Sequence, residues 1–199
     1  MDLVQTVALS AGLAWASGLR LYLVVFLAGV LAHLGYMHLP ESLHVLTHPL
    51  VMAASGGMAL AELVADKVPA FDSLWDGFQT FVRIPAGALL ATFALGDVEP
   101  AWMVAAGLLG GTITAGTHFA KAGSRLAINA SPEPFSNWLA SFGEDGMVLG
   151  GVWVMLVAPA LFLLLLVVFL IGAVVAIRLS YRLLAGLFRR LRRSPGGQG

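Results

Sequence analysis

From Met147 to Ile177 the chain carries no charged residue, and its only interruption is Pro159. A helix rises about 1.5 Å per residue and a bilayer core is about 30 Å thick, so a run of this length and composition belongs in lipid. Composition agrees. Of the 199 residues, 59% are hydrophobic and 11% charged, with a mean hydropathy of +0.88. Soluble domains carry about 25% charged residues, so a water-soluble globule of this size could not cover its surface. Disorder is excluded by the same figures, since it needs low hydrophobicity and high net charge. Without cysteine there is neither a disulfide framework nor a thiolate site. The expectation is an integral membrane protein.

The runs are too long and too little alternating for transmembrane strands, which predicts an all-α, polytopic helical bundle. Leu3 to Met37 would reach about 50 Å as one helix, too far for one upright crossing. Gly12, Ser17 and Gly18 offer a break, giving a re-entrant or broken helix from Leu3 to Ala16 and a full span from Leu19 to Tyr36. Further spans are expected at Leu50–Ala65, Thr80–Gly96, Ala101–Ala120 and Met147–Ile177, with Pro159 as a kink or break, so about five in all. Asp66–Gln79 and Lys121–Asp145 read as polar connections. Glycine and alanine crowd the spans, as close helix packing in lipid requires. A shift of about 94 residues lays Pro40 on Pro134 and Gly56-Gly57 on Gly150-Gly151, the mark of a weak inverted repeat of the kind found in transporters.

Charge is distributed unevenly. Arg178, Arg182, Arg189, Arg190, Arg192 and Arg193 hold six of the eleven basic residues, and no acid follows Asp145. Residues 178–199 therefore read as a basic amphipathic helix and tail attached to a transmembrane domain of residues 1–177. Such a tail is expected on the cytoplasmic side of a cell membrane, against anionic lipid. Nucleic acid is not an expected partner, because no stacking platform accompanies the arginines. The start Met1-Asp2-Leu3 has no basic n-region, so no cleaved signal peptide is expected.

Chemistry concentrates between Glu62 and Asp76. Glu62 and Asp66 share one helix face at i, i+4, Pro69 stops the helix after Lys67, and Asp72 and Asp76 repeat the same spacing. A carboxylate inside a span is costly enough to point to function, and hard cations favour several oxygen ligands. Arg20, Glu62, Asp66, Lys67, Asp72 and Asp76 are the candidate ion- or substrate-binding residues, with Glu62 and Asp66 as candidate metal ligands. Arg20 is the candidate partner of Glu62 or, if the first segment lies flat on the surface, an interfacial anchor, and Arg83 is a second cation for a carboxylate or a snorkelling anchor. Opposed to this reading is a solvated loop in which Asp66 pairs with Lys67. His44 and His48 have a chelating spacing but lack further ligands, and His118 stands alone. Asn137, Ser141, Glu144 and Asp145 read either as a polar mouth or as a hydrated loop. Phosphate loops and nucleophile elbows are absent from the sequence, so neither an enzyme nor a cofactor is expected.

Ser17-Gly18-Leu19-Arg20-Leu21-Tyr22, Leu39-Pro40 and Glu62-x-x-x-Asp66-Lys67-x-Pro69-x-x-Asp72-Ser73-x-Trp75-Asp76 together resemble the membrane family of unknown function DUF4126 over nearly the whole chain. The resemblance implies a small polytopic bacterial membrane protein and no particular activity. Glu62 to Lys67 is also similar to the Glu-x-Gly-Asp-Lys motif of cation/proton exchangers. It departs from that motif in its spacing, its missing glycine and the lack of a second acidic copy. The expected function is a small transporter or channel subunit for an ion or small polar solute. The alternative is a non-transporting scaffold that binds lipid or a partner, and association with further copies of the chain is left open.

Overall fold

The computed structural model describes residues 1–67, 69–129 and 135–192, with side chains omitted at 69–73, 127, 129, 180 and 183–192. Among the described residues every regular element is helical. They are α1 (Leu3–His33), a 3₁₀ helix (Glu41–Thr47), α2 (Pro49–Ala65), α3 (Pro69–Phe93), α4 (Pro100–Asn129), α5 (Phe135–Val157) and α6 (Pro159–Arg192). Local sequence sets the boundaries. Asp2 and Gln5 form a reciprocal capping box, with Gln5 N–H donating to Asp2 Oδ1 at 2.7 Å. Pro49, Pro69, Pro100 and Pro159 each open a helix, where the missing proline N–H is no loss.

α1 is folded back on itself. Arg20 has φ −145° and ψ 77°, outside the helical region, and the chain reverses there. Leu9 and Met37 border one cavity, although a straight helix would hold them about 40 Å apart. The arm 3–19 runs parallel to α4, with Thr114 Oγ1 donating to the Ala14 carbonyl and Lys121 Nζ donating to the Leu19 carbonyl. The arm 21–33 runs antiparallel to α2, so that Gly56 faces Phe26 and Gly29 faces Leu46 and Met52. The expected break is therefore present, two residues beyond Gly18. It makes a hairpin with its tip deep in the bundle.

α3 and α4 form an antiparallel pair joined through residues 94–99. At Ala158 the chain turns back again. Gly146 and Phe169 border one cavity, whereas a continuous helix would separate them by roughly 35 Å. Trp15 sits in the resulting V, its ring edge-on to Phe162 and Phe169 at 5.8 Å each. Pro159 is thus a break between two helices and not a kink within one span. Met1, residues 34–48, residues 94–99 and Ala158 lie at one end of the bundle, which we call proximal. Arg20, the α2–α3 junction and the far ends of α4 and α6 lie at the other, distal end.

Among the described residues three helices are long and apolar enough to cross a membrane: Leu3–His33, Phe135–Val157 and Pro159–Leu179. The 3₁₀ helix and α2, bent by 67°, qualify only as a pair. α3 covers the expected span 80–96 as far as Phe93 and α4 contains 101–120, and their ionisable side chains Asp76, Arg83, Lys121 and Arg125 are buried. Leu74, Phe78, Phe81, Phe119 and Leu126 on the same helices are exposed. The expected polar connections 66–79 and 121–145 are largely helix, since α3 starts at Pro69, α4 runs to Asn129 and α5 starts at Phe135. Among their described residues Asp66, Asp76, Gln79, Lys121, Arg125, Asn137, Ser141 and Glu144 are buried against protein. The 94-residue shift superposes α2 on α5 and α3 on α6, which run in opposite senses. Simple up-and-down alternation produces that relation with or without a repeat.

Small residues set the helix separations. A Cβ on Gly18 would lie 2.6 Å from the Thr114 carbonyl oxygen and 2.6 Å from Thr117 Cβ, whereas one on Gly57 would meet nothing within 4 Å. Gly18→Ala should therefore destabilise the detergent-solubilised protein by about 1–3 kcal/mol. Gly57→Ala should leave it unchanged or slightly more stable. Thermal melts followed by helical circular dichroism check the contrast.

Candidate functional site

Reversal of α1 at Arg20 brings a guanidinium to the tip of a buried hairpin, and the other helices supply its counter-charges. Arg20 Nη1 lies 2.6 Å from Asp66 Oδ2 at the end of α2, and Nε lies 2.8 Å from Asp145 Oδ1 on α5. Nη2 donates to Ser141 Oγ at 2.9 Å and to the Ser141 carbonyl at 3.2 Å. Two cations of α4 complete this half. Lys121 Nζ is 3.1 Å from Asp66, 3.4 Å from Glu144 and 3.5 Å from Asp76. Arg125 donates through Nε and Nη2 to both oxygens of Glu144, at 2.9 and 3.0 Å, and through Nη1 to Asn137 Oδ1 at 2.9 Å.

A second half adjoins it, centred on Arg83 of α3. Arg83 Nη2 pairs with Glu62 Oε1, and Nη1 lies 3.0 Å from Asp76 Oδ1 on its own helix. Nη1 also donates to His118 Nδ1 at 3.1 Å, and Thr80 Oγ1 lies 2.7 Å from His118 Nε2. Arginine can only donate, so Nδ1 must be the bare acceptor. Thr80 donates its own proton to the Asp76 carbonyl at 3.0 Å, which leaves Nε2 as the N–H. His118 is thereby held as the neutral Nε2–H tautomer. A cavity of about 190 Å³ between α3 and α4 reaches this half, lined by Asp76, Thr80, His118 and Arg125 and flanked by Phe119 and Leu126.

Burial gives the network its weight. Arg20, Glu62, Asp66, Asp76, Arg83, Lys121 and Arg125 are each no more than 4% exposed, and Glu144 is 6% exposed. Removing such charges from water costs several kcal/mol per ion, which mutual attraction repays only with good geometry and satisfied hydrogen bonds. The Asp145 side chain, 19% exposed, is the most open carboxylate among the described members. Outside this polar interior, Leu74, Phe78 and Phe81 of α3 and Phe135, Leu139 and Phe142 of α5 are exposed at the same level of the bundle. The arrangement is polar within and apolar without, as in a bundle solvated by lipid.

Of the residues singled out in the sequence, Arg20, Glu62, Asp66 and Asp76 meet in this network. The expected pairing of Arg20 with Glu62 is corrected: Arg20 engages Asp66, while Glu62 lies beside Arg83, because α2 presents Glu62 one turn farther from the hairpin tip. Lys67 points elsewhere, with Nζ 5.1 Å from the Phe142 ring centre and donating to the Leu63 carbonyl. The Asp72 side chain lies outside the described residues. No group of three or more His, Cys, Asp or Glu among the described residues could hold a metal ion, and the ligand reading of Glu62 and Asp66 is replaced by ion pairs to different cations. His44 Nε2 lies 3.0 Å from the Leu39 carbonyl, and His48 Nδ1 caps α2 by accepting from Leu50 N–H.

The model of one family, a domain of unknown function (DUF4126), matches residues 7–179. The chain belongs to the DUF4126 family. No curated protein and no solved structure matches it. The nine Arg, Lys, Asp and Glu members of the network described above fall within the DUF4126 match, whereas Arg182 and the arginines after it lie beyond it. Sequence reasoning underweighted Lys121, Arg125, His118 and Glu144 in this DUF4126 chain. One signal could have found them: His118, Lys121 and Arg125, like Asn137, Ser141 and Glu144, recur at three- and four-residue intervals and so stripe one helix face.

Asp66 faces three cations, so Asp66→Asn strips compensation from Arg20, Lys121 and Arg125 together. It should cost about 3–5 kcal/mol of stability. Asp145→Asn, which removes one partner of Arg20 alone and at the more open edge, should cost less. Denaturant unfolding of the two variants in one detergent checks the ranking.

Proposed function

We propose that this protein is a small membrane transporter or channel subunit for an ion or small polar solute, and that the Arg20-centred network is its binding and counter-charge site. One observation carries the reading: charged side chains from α1, α2, α3, α4 and α5 are buried together inside a bundle with an apolar exterior. A core built only for stability gains little from such an arrangement, since well-packed apolar residues do as well or better. A re-entrant hairpin with a charged tip is also the device by which transporters place half-helix ends at a substrate. The distal end, where Arg178 and Arg182 are exposed, is the cytoplasmic end in this reading, by the positive-inside bias. The proximal end, with Met1 and residues 94–99, then faces outward.

Reconstitution tests the proposal. Proteoliposomes containing the wild-type protein should pass an ion or proton when a gradient is imposed, read by a pH-sensitive or ion-sensitive dye. Arg20→Ala and Glu62→Gln should each reduce the rate at least tenfold while the helical content is retained. Equal flux in folded variants would remove the network from the mechanism, and no flux from the wild type would leave the scaffold reading. Topology has its own test, simplified by the absence of native cysteine. Asp2→Cys and Asp97→Cys should be labelled from the outer side by an impermeant maleimide, and Arg182→Cys from the cytoplasmic side.

A further inference from the structure

The network divides into two halves of unequal charge. Arg20, Lys121 and Arg125 face Asp66, Glu144 and Asp145, three cations against three carboxylates. In the other half Arg83 serves two carboxylates, Glu62 and Asp76, and Lys121, shared with the first half, reaches Asp76 alone of the two. His118 adds no charge there, because its contact with Arg83 requires the neutral ring. Among the described ion pairs four cations thus face five carboxylates, one negative charge in excess, and Glu62 and its partner Arg83 are each 0% exposed. An uncompensated buried carboxylate is among the costliest arrangements a protein can hold, and such a group neutralises itself.

The two carboxylates are not equivalent. Asp76 lies against Arg83 and, at 3.5 Å, Lys121. Glu62 has Arg83 as its one ion-pair partner among the described residues, and its Oε2 is buried without a hydrogen-bond partner. The other charges around it are Lys121 of α4, Arg20 of α1 and the like-charged Asp66 of its own helix. His118 of α4, also beside Arg83, is neutral. A metal cation is the wrong species to supply the missing charge, because the described carboxylates do not converge into a ligand group.

We infer that Glu62 is a proton-binding site: its carboxyl takes one proton on Oε2 while Oε1 accepts from Arg83, and this proton is the ion that the site exchanges. Protonation turns the Glu62 carboxylate into a neutral acid and leaves Arg83 with Asp76 as a balanced pair. Loss of the proton restores a second anion to Arg83, drawing the guanidinium away from Asp76 and His118. Proton binding at Glu62 is thus coupled, through Arg83 and the Asp76 contact with Lys121, to the half that holds Arg20. This deepens the transport reading by naming the ion, but its test needs no flux.

Infrared spectroscopy of the reconstituted full-length protein at neutral pH reads the proton directly. The wild type should show a protonated-carboxyl band that shifts in D₂O and with carboxyl-¹³C glutamate but not with carboxyl-¹³C aspartate. Glu62→Gln should abolish the band, and Asp145→Asn should retain it. Should Glu62→Gln fail to fold, Glu62→Asp supplies the same test, since the band should then respond to labelled aspartate instead. Absence of the band in the wild type, its response there to labelled aspartate, or its survival in folded Glu62→Gln would each overturn the inference. Flux without the band overturns this inference and leaves transport standing. The band without flux does the reverse.

Discussion

A guanidinium enclosed at the tip of a helical hairpin imposes the central constraint on this bundle. Arg20 cannot reach water from there, being 1% exposed, so the fold must bring anions to it. Asp66 ends α2 at the right height, and Asp145 and Glu144 project from the first turns of α5. Those carboxylates in turn need more positive charge than one arginine supplies, and Lys121 and Arg125 of α4 provide it. The helices are thus tied in register by ion pairs at one end of the bundle. Beside the network, apolar contacts such as Trp15 with Phe162 and Phe169 hold them.

That division resolves an apparent contradiction in composition. α3 and α4 are too polar to register as membrane-crossing helices by a hydropathy average, and they pack against each other more extensively than any other pair. Their polarity is confined to the face turned inward. In lipid the low dielectric strengthens such contacts, and it penalises any member left without a partner. Charge balance therefore becomes a local requirement. At Glu62, whose one ion-pair partner among the described residues is Arg83, it is met least.

Helical class, the apolar runs, the break in α1 and the inward carboxylate Glu62 were legible from the sequence, because each rests on composition or on spacing within one helix. The Pro159 reversal was legible as a break but not as a turn, since proline interrupts a helix without saying where the next one goes. The stretches 66–79 and 121–145 misled for a physical reason. Water and a buried ion network both select polar residues, and hydropathy cannot separate the two. The three- and four-residue stripes of His118, Lys121 and Arg125, and of Asn137, Ser141 and Glu144, carried the distinction.

By itself the sequence determined that this chain has apolar runs long enough to cross a membrane, folds as helices, and carries several charges within them. Composition and periodicity are properties of single segments, and they suffice for that. Tertiary structure alone decided which charge meets which: Arg20 with Asp66, Arg83 with Glu62, Lys121 between the two halves. These partners lie on separate helices, and only the hairpin at Arg20 and the stacking of α2 to α5 around it set their distances.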